Sequence, residues 1–356
     1  MKNLRIEIWR FIFAVYILCY HTLGHVYRIP TGGYIGVDVF AVVGGYFLAA
    51  SYWRATQRNE EAGGSIQYAG KRFWRLWPMC AASFVINLIL RWLRAKWTLA
   101  KAADVLYKSF PEGLMLSIRV TVNGVAWFLA AMFLVGILIW SVLSMDKRRK
   151  WAVGLLFVAA TMIYAVFIEK AGRIHFHTSR EMFLIGHDGF WRIFADMAMG
   201  VVAFAAFQRI ETLKSKRFCR IMHIAGNLFM AGLLALSFFR YNEIADFWCI
   251  FFAWCGVICL SVQKENQVPK SNVESRLWKF ISFLGRLAFP VFLLHEGVYG
   301  FLVTYPITSS PALGCLCVLA ATCMIAIPME YMVEFVVRKA QKHLSKAFEA
   351  KQRPAE

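Results

Sequence analysis

Two side chains in the first apolar segment have the types and the spacing for chemistry along a membrane helix. Arg10 and His21 are separated by ten residues in RIEIWRFIFAVYILCYH. Eleven helical steps of 100° end about 20° beyond three full turns, so both side chains point the same way, about 16 Å apart along the axis. An imidazole suits general-base or nucleophilic chemistry, and an arginine suits anion binding. The alternative is an interface anchor with an unrelated packed histidine.

The second apolar segment, GYIGVDVFAVVGGYF, carries a carboxylate near its start. We expect Asp38 to lie at the depth of His21, where it would orient the imidazole and fix its tautomer. The alternative is a solvated aspartate near the positive end of a helix dipole. Gly36, Gly44 and Gly45 in the same segment would let a neighbouring helix approach closely.

A cationic cluster, KRFWRLWP, opens the third apolar segment. Arg72 and Arg75 are one helical turn apart and lie on similar faces, with Lys71 beside them. Their forked guanidinium groups could bind a phosphate group. They could instead be topology signals, since basic residues collect on the inner side of a membrane.

Later segments add further ionisable and aromatic candidates. His295 and Glu296 lie in FPVFLLHEGVY, and Trp127 opens NGVAWFLAAMF. We expect these three in the same outer half of the membrane as His21, as possible acceptor-binding or accessory residues. Two glutamates near the inner end of the last segment are predicted to pack against arginines, and these are Glu330 and Glu334.

Other patterns are weaker. His21 and His25 have a metal-compatible spacing, but no zinc motif occurs and we expect no metal. Nine cysteines lack paired spacing, which favours buried thiols. An outward loop at 169–190 holds polar residues that could touch an acceptor, although solvated loop residues are the simpler interpretation. They are His175, His177, His187 and Asp188.

The composition indicates the class of fold that must position these residues. Of 356 residues, 59% are hydrophobic and 17% charged, and the mean hydropathy is +0.53. A soluble domain could not bury so much apolar surface, so we predict an all-α, polytopic membrane protein. The net charge of +19 could indicate nucleic acid, but the basic residues form short clusters between apolar runs. This distribution is typical of topology signals, and we expect no nucleic-acid partner.

The apolar windows predict about ten transmembrane helices. They lie near 8–26, 34–53, 76–93, 123–145, 151–168, 191–208, 221–239, 244–262, 280–303 and 312–336. With both ends inside, 28 of the 40 Lys and Arg residues fall on the inner side, which favours an N-in, C-in topology. The first segment lacks a cleavage site, so we expect it to remain as a helix. We predict one transmembrane domain, 1–337, and a short basic cytoplasmic tail, 338–356.

Five of these segments, in this order, resemble the acyltransferase-3 family of integral membrane acyltransferases. That family includes bacterial O-acetyltransferases that modify cell-surface polysaccharides. The segments are RIEIWRFIFAVYILCYH, GYIGVDVFAVVGGYFL, KRFWRLWP, WFLAAMF and FPVFLLH. By this resemblance, Arg10 and His21 match the family's essential arginine–histidine pair, and Arg72 and Arg75 match its donor-side arginines.

The chain departs from the family pattern at two positions. Gly44 stands where many members have serine, and Met132 stands where many have glutamate after the tryptophan motif. A mechanism that relies on that glutamate does not transfer to this chain.

The resemblance implies a membrane O-acyltransferase. We expect an acyl group, acetyl by analogy, to pass from cytoplasmic acyl-CoA to a hydroxyl of a surface glycan or glycolipid precursor in a bacterial cytoplasmic membrane. His21 would act as general base or carry the acyl group transiently, with Asp38 beside it and Arg10, Arg72 and Arg75 binding the donor. The lipid bilayer, acyl-CoA and a carbohydrate acceptor are the expected partners, with no permanently bound cofactor.

The alternative function is a transporter or flippase for a glycan or lipid intermediate. It would also combine about ten helices with intramembrane charges. Its marks are internal repeats and helices broken at mid-membrane. Neither is evident in the sequence. The oligomeric state stays open.

Overall fold

A computed structural model describes residues 3–27, 32–57, 64–118, 120–145, 150–172, 174, 187–210, 215–239, 244–262, 272–303 and 310–352. These residues form helices and no strand. The helices are α1 Leu4–Tyr27, α2 Ile35–Gln57, α3 Ser65–Ala95, α4 Leu99–Gly113, α5 Ala126–Met145, α6 Lys150–Ala171, α7 Asp188–Ile210, α8 Lys216–Phe238, α9 Ala245–Ser261, α10 Asn272–Leu302 and α11 Pro311–Gln352.

The predicted class, an all-α polytopic membrane protein, is confirmed. Within the described ranges, nine helices are long and apolar enough to cross a membrane, and the tenth apolar helix, α9, has only 17 residues. Each of the ten apolar windows coincides with one of these helices. The helix α11 continues past the predicted tail boundary at 338 as far as Gln352.

The helix α4 lies in a stretch for which the sequence predicted only an outward loop. Thr98 caps it, because its hydroxyl accepts from the backbone N–H of Lys101 at 3.3 Å. Leu99, Leu106 and Phe110 are exposed on one face. With 15 residues, α4 is too short to cross a bilayer, so the apolar windows did not detect it.

Three helices run side by side in the same direction. At one end, Gly285 of α10 packs directly against the Glu7 side chain of α1. Toward the other end, Gly297 of α10 packs against Asn87 of α3, and Gly300 lies beside Nη1 of Arg94. The helices α1, α3 and α10 therefore form one parallel group, and each can contribute side chains at both ends of the bundle.

The helix α9 runs opposite to α1 over the same height. At the start of α9, Asp246 accepts a hydrogen bond of 2.7 Å from the hydroxyl of Tyr34, which immediately precedes α2. At its other end, the carbonyl of Leu260 accepts at 2.8 Å from the amide of Asn3, before α1. Although short, α9 therefore extends from one end of the bundle to the other.

The helices α2 and α7 cross at a glycine contact. A Cβ on Gly45 would lie 1.9 Å from the carbonyl oxygen of Met197, and a Cβ on Gly200 would lie 2.1 Å from that of Val42. The two backbones therefore touch, as glycine allows in membrane helices. The predicted role of Gly45 in close helix approach is confirmed.

Candidate active site

A large cavity opens between α1, α2, α3, α5, α10 and α11. Its volume is about 850 Å³. Its charged lining comes from α1, α3, α10 and α11, whereas one end is lined by apolar side chains. The charged residues are Glu7, Arg10, Lys71, Arg72, Arg75, Arg286, Glu330 and Glu334.

The three arginines predicted to bind a donor all line this large cavity. Arg10 forms an ion pair of 3.0 Å with Glu7. Arg72 donates from Nη1 to the hydroxyl of Tyr68 at 2.9 Å, and its buried Nε has no hydrogen-bond partner among the described residues. Arg75 forms no ion pair with any described residue within 4 Å. The arginines thus retain donors for an anionic ligand.

The predicted packing of the glutamates of α11 against arginines is confirmed for Glu334. It accepts from Arg286 at 3.3 Å and also pairs with Arg338 one turn further along α11. Glu330 lines the same cavity.

Three phenylalanines close the apolar end of the large cavity. The ring centroid of Phe292 lies 5.7 Å from that of Phe40 and 5.4 Å from that of Phe128, and the latter two are 6.4 Å apart. All three line the cavity. This aromatic trio separates the cationic part of the large cavity from the histidines beyond it.

His295 lies immediately behind the aromatic trio. The side chain is 0% exposed, and its ring centroid is 6.0 Å from that of Phe292. Nδ1 lies 2.7 Å from the carbonyl oxygen of Phe292. A carbonyl can only accept, so Nδ1 carries the proton and Nε2 is the basic nitrogen. Nε2 has no hydrogen-bond partner among the described residues.

His21 stands next to His295 and faces a second, small cavity. The two imidazole centroids are 5.1 Å apart. The small cavity has a volume of about 340 Å³. Its ionisable lining is His21, Arg91, Arg94, Glu296 and Tyr299. The structure thus places His21, His295 and Glu296 close together, where the sequence predicted only that they share one half of the membrane.

A buried carboxylate of α4 forms hydrogen bonds to the backbone segment that makes one wall of the small cavity. Glu112 is 2% exposed and accepts backbone hydrogen bonds from Thr121, Val122 and Asn123 at 2.8, 3.1 and 2.5 Å. Val122 and Gly124 line the cavity, and the carboxylate of Glu296 lies directly over Gly124. Glu112 therefore fixes the segment on which Glu296 rests.

The expected pairing of Asp38 with His21 is wrong. Both carboxylate oxygens of Asp38 accept from Arg192 of α7, at 2.6 Å each. Arg192 also donates to the carbonyl of Tyr34 at 3.2 Å. Asp38 and Arg192 are almost fully buried. Because α2 packs along α7, the carboxylate turns toward the guanidinium there instead of the imidazole on α1.

Trp127 lines neither cavity. Its ring packs 3.0 Å from the position of a Cβ on Gly189, in the first turn of α7. His187 and Asp188 lie at the same point, before and at the start of α7. His175 and His177 fall outside the described residues, and so does the side chain of His25.

The two departures from the family pattern contact each other. A Cβ on Gly44 would lie 2.7 Å from Cε of Met132, and both residues line the large cavity. Where many family members have a serine and a glutamate, this chain therefore has a glycine and a methionine. The methionine side chain occupies the space beside the glycine.

Sequence reasoning missed three parts of the site. Arg91 and Arg94 were counted only as outward basic residues, although their one-turn spacing repeats that of Arg72 and Arg75. No sequence pattern indicated the aromatic trio, because phenylalanines are common along the whole chain. Glu112 was missed because α4 itself was not predicted.

The protein is a polytopic helical membrane bundle with a cationic cavity, two adjacent histidines and a second cavity. Residues 3–331 match the sequence model of the acyltransferase-3 family, whose description is "Acyltransferase domain". The match covers nearly the whole chain, so the protein belongs to this family and is a membrane acyltransferase. Comparisons with the curated proteins and with the solved structures give no match.

Proposed function

We propose that the protein is an O-acyltransferase of the bacterial cytoplasmic membrane. It takes an acyl group, acetyl by family analogy, from cytoplasmic acyl-CoA bound in the large cavity. The acceptor is a hydroxyl of a surface glycan or glycolipid precursor bound in the small cavity. His295 and His21 lie between the two cavities, and the transfer takes place there.

The observation that carries this proposal is the shared use of three helices. Arg10 of α1, Arg72 of α3 and Arg286 of α10 line the large cavity. The same helices supply His21, Arg91 and Glu296 to the small cavity. With the N-terminus inside, the large cavity faces the cytoplasm, where acyl-CoA is made, and the small cavity faces the compartment in which the glycan is exposed.

The donor site fits the chemistry of coenzyme A. Its nucleotide and pyrophosphate are anionic, and Arg10, Arg72 and Arg75 offer forked or charged donors to them. The apolar end of the large cavity suits the narrower, less polar pantetheine arm. That arm must cross roughly 16 Å of helix height from Arg10 to His21, and it has to displace the aromatic trio at Phe292 to reach the histidines.

The transfer step balances without any further reactant. The acceptor hydroxyl attacks the thioester carbonyl, the new C–O bond forms and the C–S bond breaks. The hydroxyl proton passes to an imidazole, and the leaving thiolate of coenzyme A then takes a proton back. His21 receives the hydroxyl proton because it lines the acceptor cavity. In the alternative route, the His21 imidazole attacks the thioester, so that a C–N bond forms as the C–S bond breaks; the acceptor hydroxyl then forms the C–O bond as the C–N bond breaks.

The test is reconstitution of purified protein in liposomes with labelled acetyl-CoA on one side and glycolipid extracted from the host membrane. Mass spectrometry of the glycolipid should show an added acetyl group only with the active protein and only when acetyl-CoA is on the side of the large cavity. Translocation of glycolipid with no acyl transfer would instead support the flippase alternative and reject the proposal.

A further inference from the structure

The helix α3 carries the same Arg-x-x-Arg pair at each of its two ends. Arg72 and Arg75 line the large cavity, and Arg91 and Arg94 line the small one. Nineteen residues separate corresponding members, which is about 28 Å of helix rise. This is close to the roughly 30 Å thickness of a bilayer's hydrocarbon core. One helix therefore presents a pair of guanidinium groups to a cavity at each membrane face.

The second pair packs along the wall of its cavity. Arg91 is half-buried and Arg94 is exposed, and Nη1 of Arg94 lies 2.9 Å from where a Cβ on Gly300 would be. A side chain at position 300 would therefore collide with this guanidinium, and glycine leaves room for it. This packing places Arg94 against α10, in the wall that also carries Glu296.

These two arginines are not neutralised by carboxylates in the part of the chain that the structure describes. Neither forms an ion pair or a side-chain hydrogen bond with any described residue. Glu296 is the one carboxylate among the described residues lining the small cavity. Among the described lining residues of the small cavity, two arginines outnumber one carboxylate, and forked guanidinium groups match phosphate geometry.

We propose that Arg91 and Arg94 form a phosphate-binding subsite for the acceptor, so that the substrate of the small cavity is a phosphorylated glycan or glycolipid. The proposal rests on the proposed function, since it names the acceptor class of the same site. The phosphate docks on the arginine pair, and a sugar hydroxyl next to it is presented to His21. The small cavity, at about 340 Å³, is near the lower limit of ligand-pocket volumes. It therefore has room for the reacting end of the acceptor and not for a whole glycolipid.

The phosphate can belong to a polyprenyl carrier or to the sugar itself, and two probes distinguish these sources. Farnesyl diphosphate represents the carrier, and glucose 1-phosphate represents the phosphorylated sugar. Each is titrated calorimetrically into purified protein in neutral detergent at fixed, low salt. The background variant is Arg72→Gln/Arg75→Gln, so that the phosphate donors at the other end of α3 are absent.

In this background, at least one probe should bind. Adding Arg91→Gln/Arg94→Gln should weaken that binding about tenfold or more, because each lost charge-assisted hydrogen bond has roughly that effect. Loss of farnesyl diphosphate binding identifies the carrier phosphate, and loss of glucose 1-phosphate binding identifies the sugar phosphate. The single variants Arg91→Lys and Arg94→Lys keep the positive charge but lose the forked guanidinium group. Their loss of probe affinity should be smaller than that of the double Gln variant.

Lys101→Gln/Lys108→Gln is the matched control. It removes two positive charges from α4, directly after α3, but neither lysine lines the large or the small cavity. Binding should not change. If neither probe binds, or if binding survives the loss of both Arg91 and Arg94, these arginines are interface anchors and the proposal is overturned.

The failure of the proposed function has a different readout. It would appear as absent acyl transfer in the otherwise unmutated protein, whatever the phosphate probes do. Folding of Arg91→Gln/Arg94→Gln is checked with Arg72 and Arg75 intact, by retention of coenzyme A binding in the large cavity. A protein that binds coenzyme A but neither phosphate probe loses only the acceptor assignment.

Discussion

His21 and His295 lie with their ring centroids 5.1 Å apart, on two parallel helices, at the boundary between the two cavities. One imidazole faces the small cavity and the other is completely buried behind Phe292. The hydrogen bond from Nδ1 of His295 to the Phe292 carbonyl directs the basic Nε2 away from that carbonyl. The two rings therefore have separate environments, and their removal should have separable effects.

We predict that His21→Ala abolishes acyl transfer and leaves coenzyme A binding intact. The variant lacks the imidazole that is proposed to receive the hydroxyl proton, and a general base of this kind contributes about 10²–10⁴-fold to the rate. Transfer is measured by mass spectrometry of the glycolipid, and donor binding by calorimetry. His223→Ala on α8 is the control, because that histidine bonds the Val262 carbonyl and lines neither cavity. Undiminished transfer by His21→Ala would remove His21 from the mechanism.

Arg72→Lys and Arg75→Lys should weaken acyl-CoA binding and leave the orientation of the helices unchanged. Lysine keeps the topology charge but loses the forked contact with phosphate, so about a tenfold weaker affinity is expected. Arg54→Lys is the matched control, because Arg54 is an exposed arginine at the end of α2 that lines neither cavity. Wild-type affinity in both single variants and in the double variant would identify the two arginines as anchors only.

Removing one partner of the buried pair Asp38–Arg192 should destabilise the protein strongly. Arg192→Met leaves the Asp38 carboxylate buried without its partner, at a cost of about 3–5 kcal/mol. Asp38→Asn should cost less, because the amide oxygen still accepts from the guanidinium. Unfolding in detergent is followed by heating and loss of monodisperse protein. A catalytic role for Asp38 would instead give a stable, inactive Asp38→Asn variant, with Arg192→Met still active.

The glycine crossing of α2 and α7 gives a prediction with an internal control. Gly45→Ala places a Cβ against the Met197 carbonyl, so the helices must separate, at a cost of about 1–3 kcal/mol. Gly154→Ala in α6 meets nothing within 4 Å, and should be neutral or stabilising by about 0.5–1 kcal/mol. The midpoints of thermal unfolding of the two variants are compared in the same detergent. Equal midpoints would mean that α2 and α7 can move apart at the crossing without loss of stability.

Glu112→Ala should impair acceptor use more than donor use. Three backbone hydrogen bonds to the segment Thr121–Asn123 are lost, so Glu296 no longer rests on a fixed wall. We expect a fall of roughly ten- to a hundredfold in kcat/KM for the acceptor, as for small displacements of positioning groups. Asp104→Ala, which breaks only exposed ion pairs on the same helix, is the control. An equal loss of acyl-CoA affinity would indicate general unfolding.

The sequence predicted those features that depend on local pattern. The ten apolar windows coincide with ten helices because a bilayer demands a run of apolar residues of nearly fixed length. Arg10 and His21 were singled out from the helical repeat alone, and in the structure each lines a cavity. Arg72 and Arg75 were likewise found from their one-turn spacing.

Contacts between helices that are distant in the chain could not be predicted from the sequence pattern. Asp38 has two candidate partners at similar depth, and the choice of Arg192 over His21 depends on the close crossing of α2 and α7 through Gly45 and Gly200. The contact of Gly44 with Met132 has the same origin, since neither position predicts the other along the chain. Side-chain pairing in a bundle follows helix packing, which periodicity alone does not specify.

The buried pair on α2 and α7 also sets an order of events during synthesis. Its two members are 154 residues apart in the chain, so at about 5–20 residues per second roughly 8–30 s pass between their translation. During that interval the carboxylate of Asp38 has already been delivered to the membrane without its guanidinium partner, a costly state in lipid. The N-terminal helices therefore cannot complete their final packing until α7 arrives, because Arg192 supplies the cation that the buried Asp38 carboxylate needs.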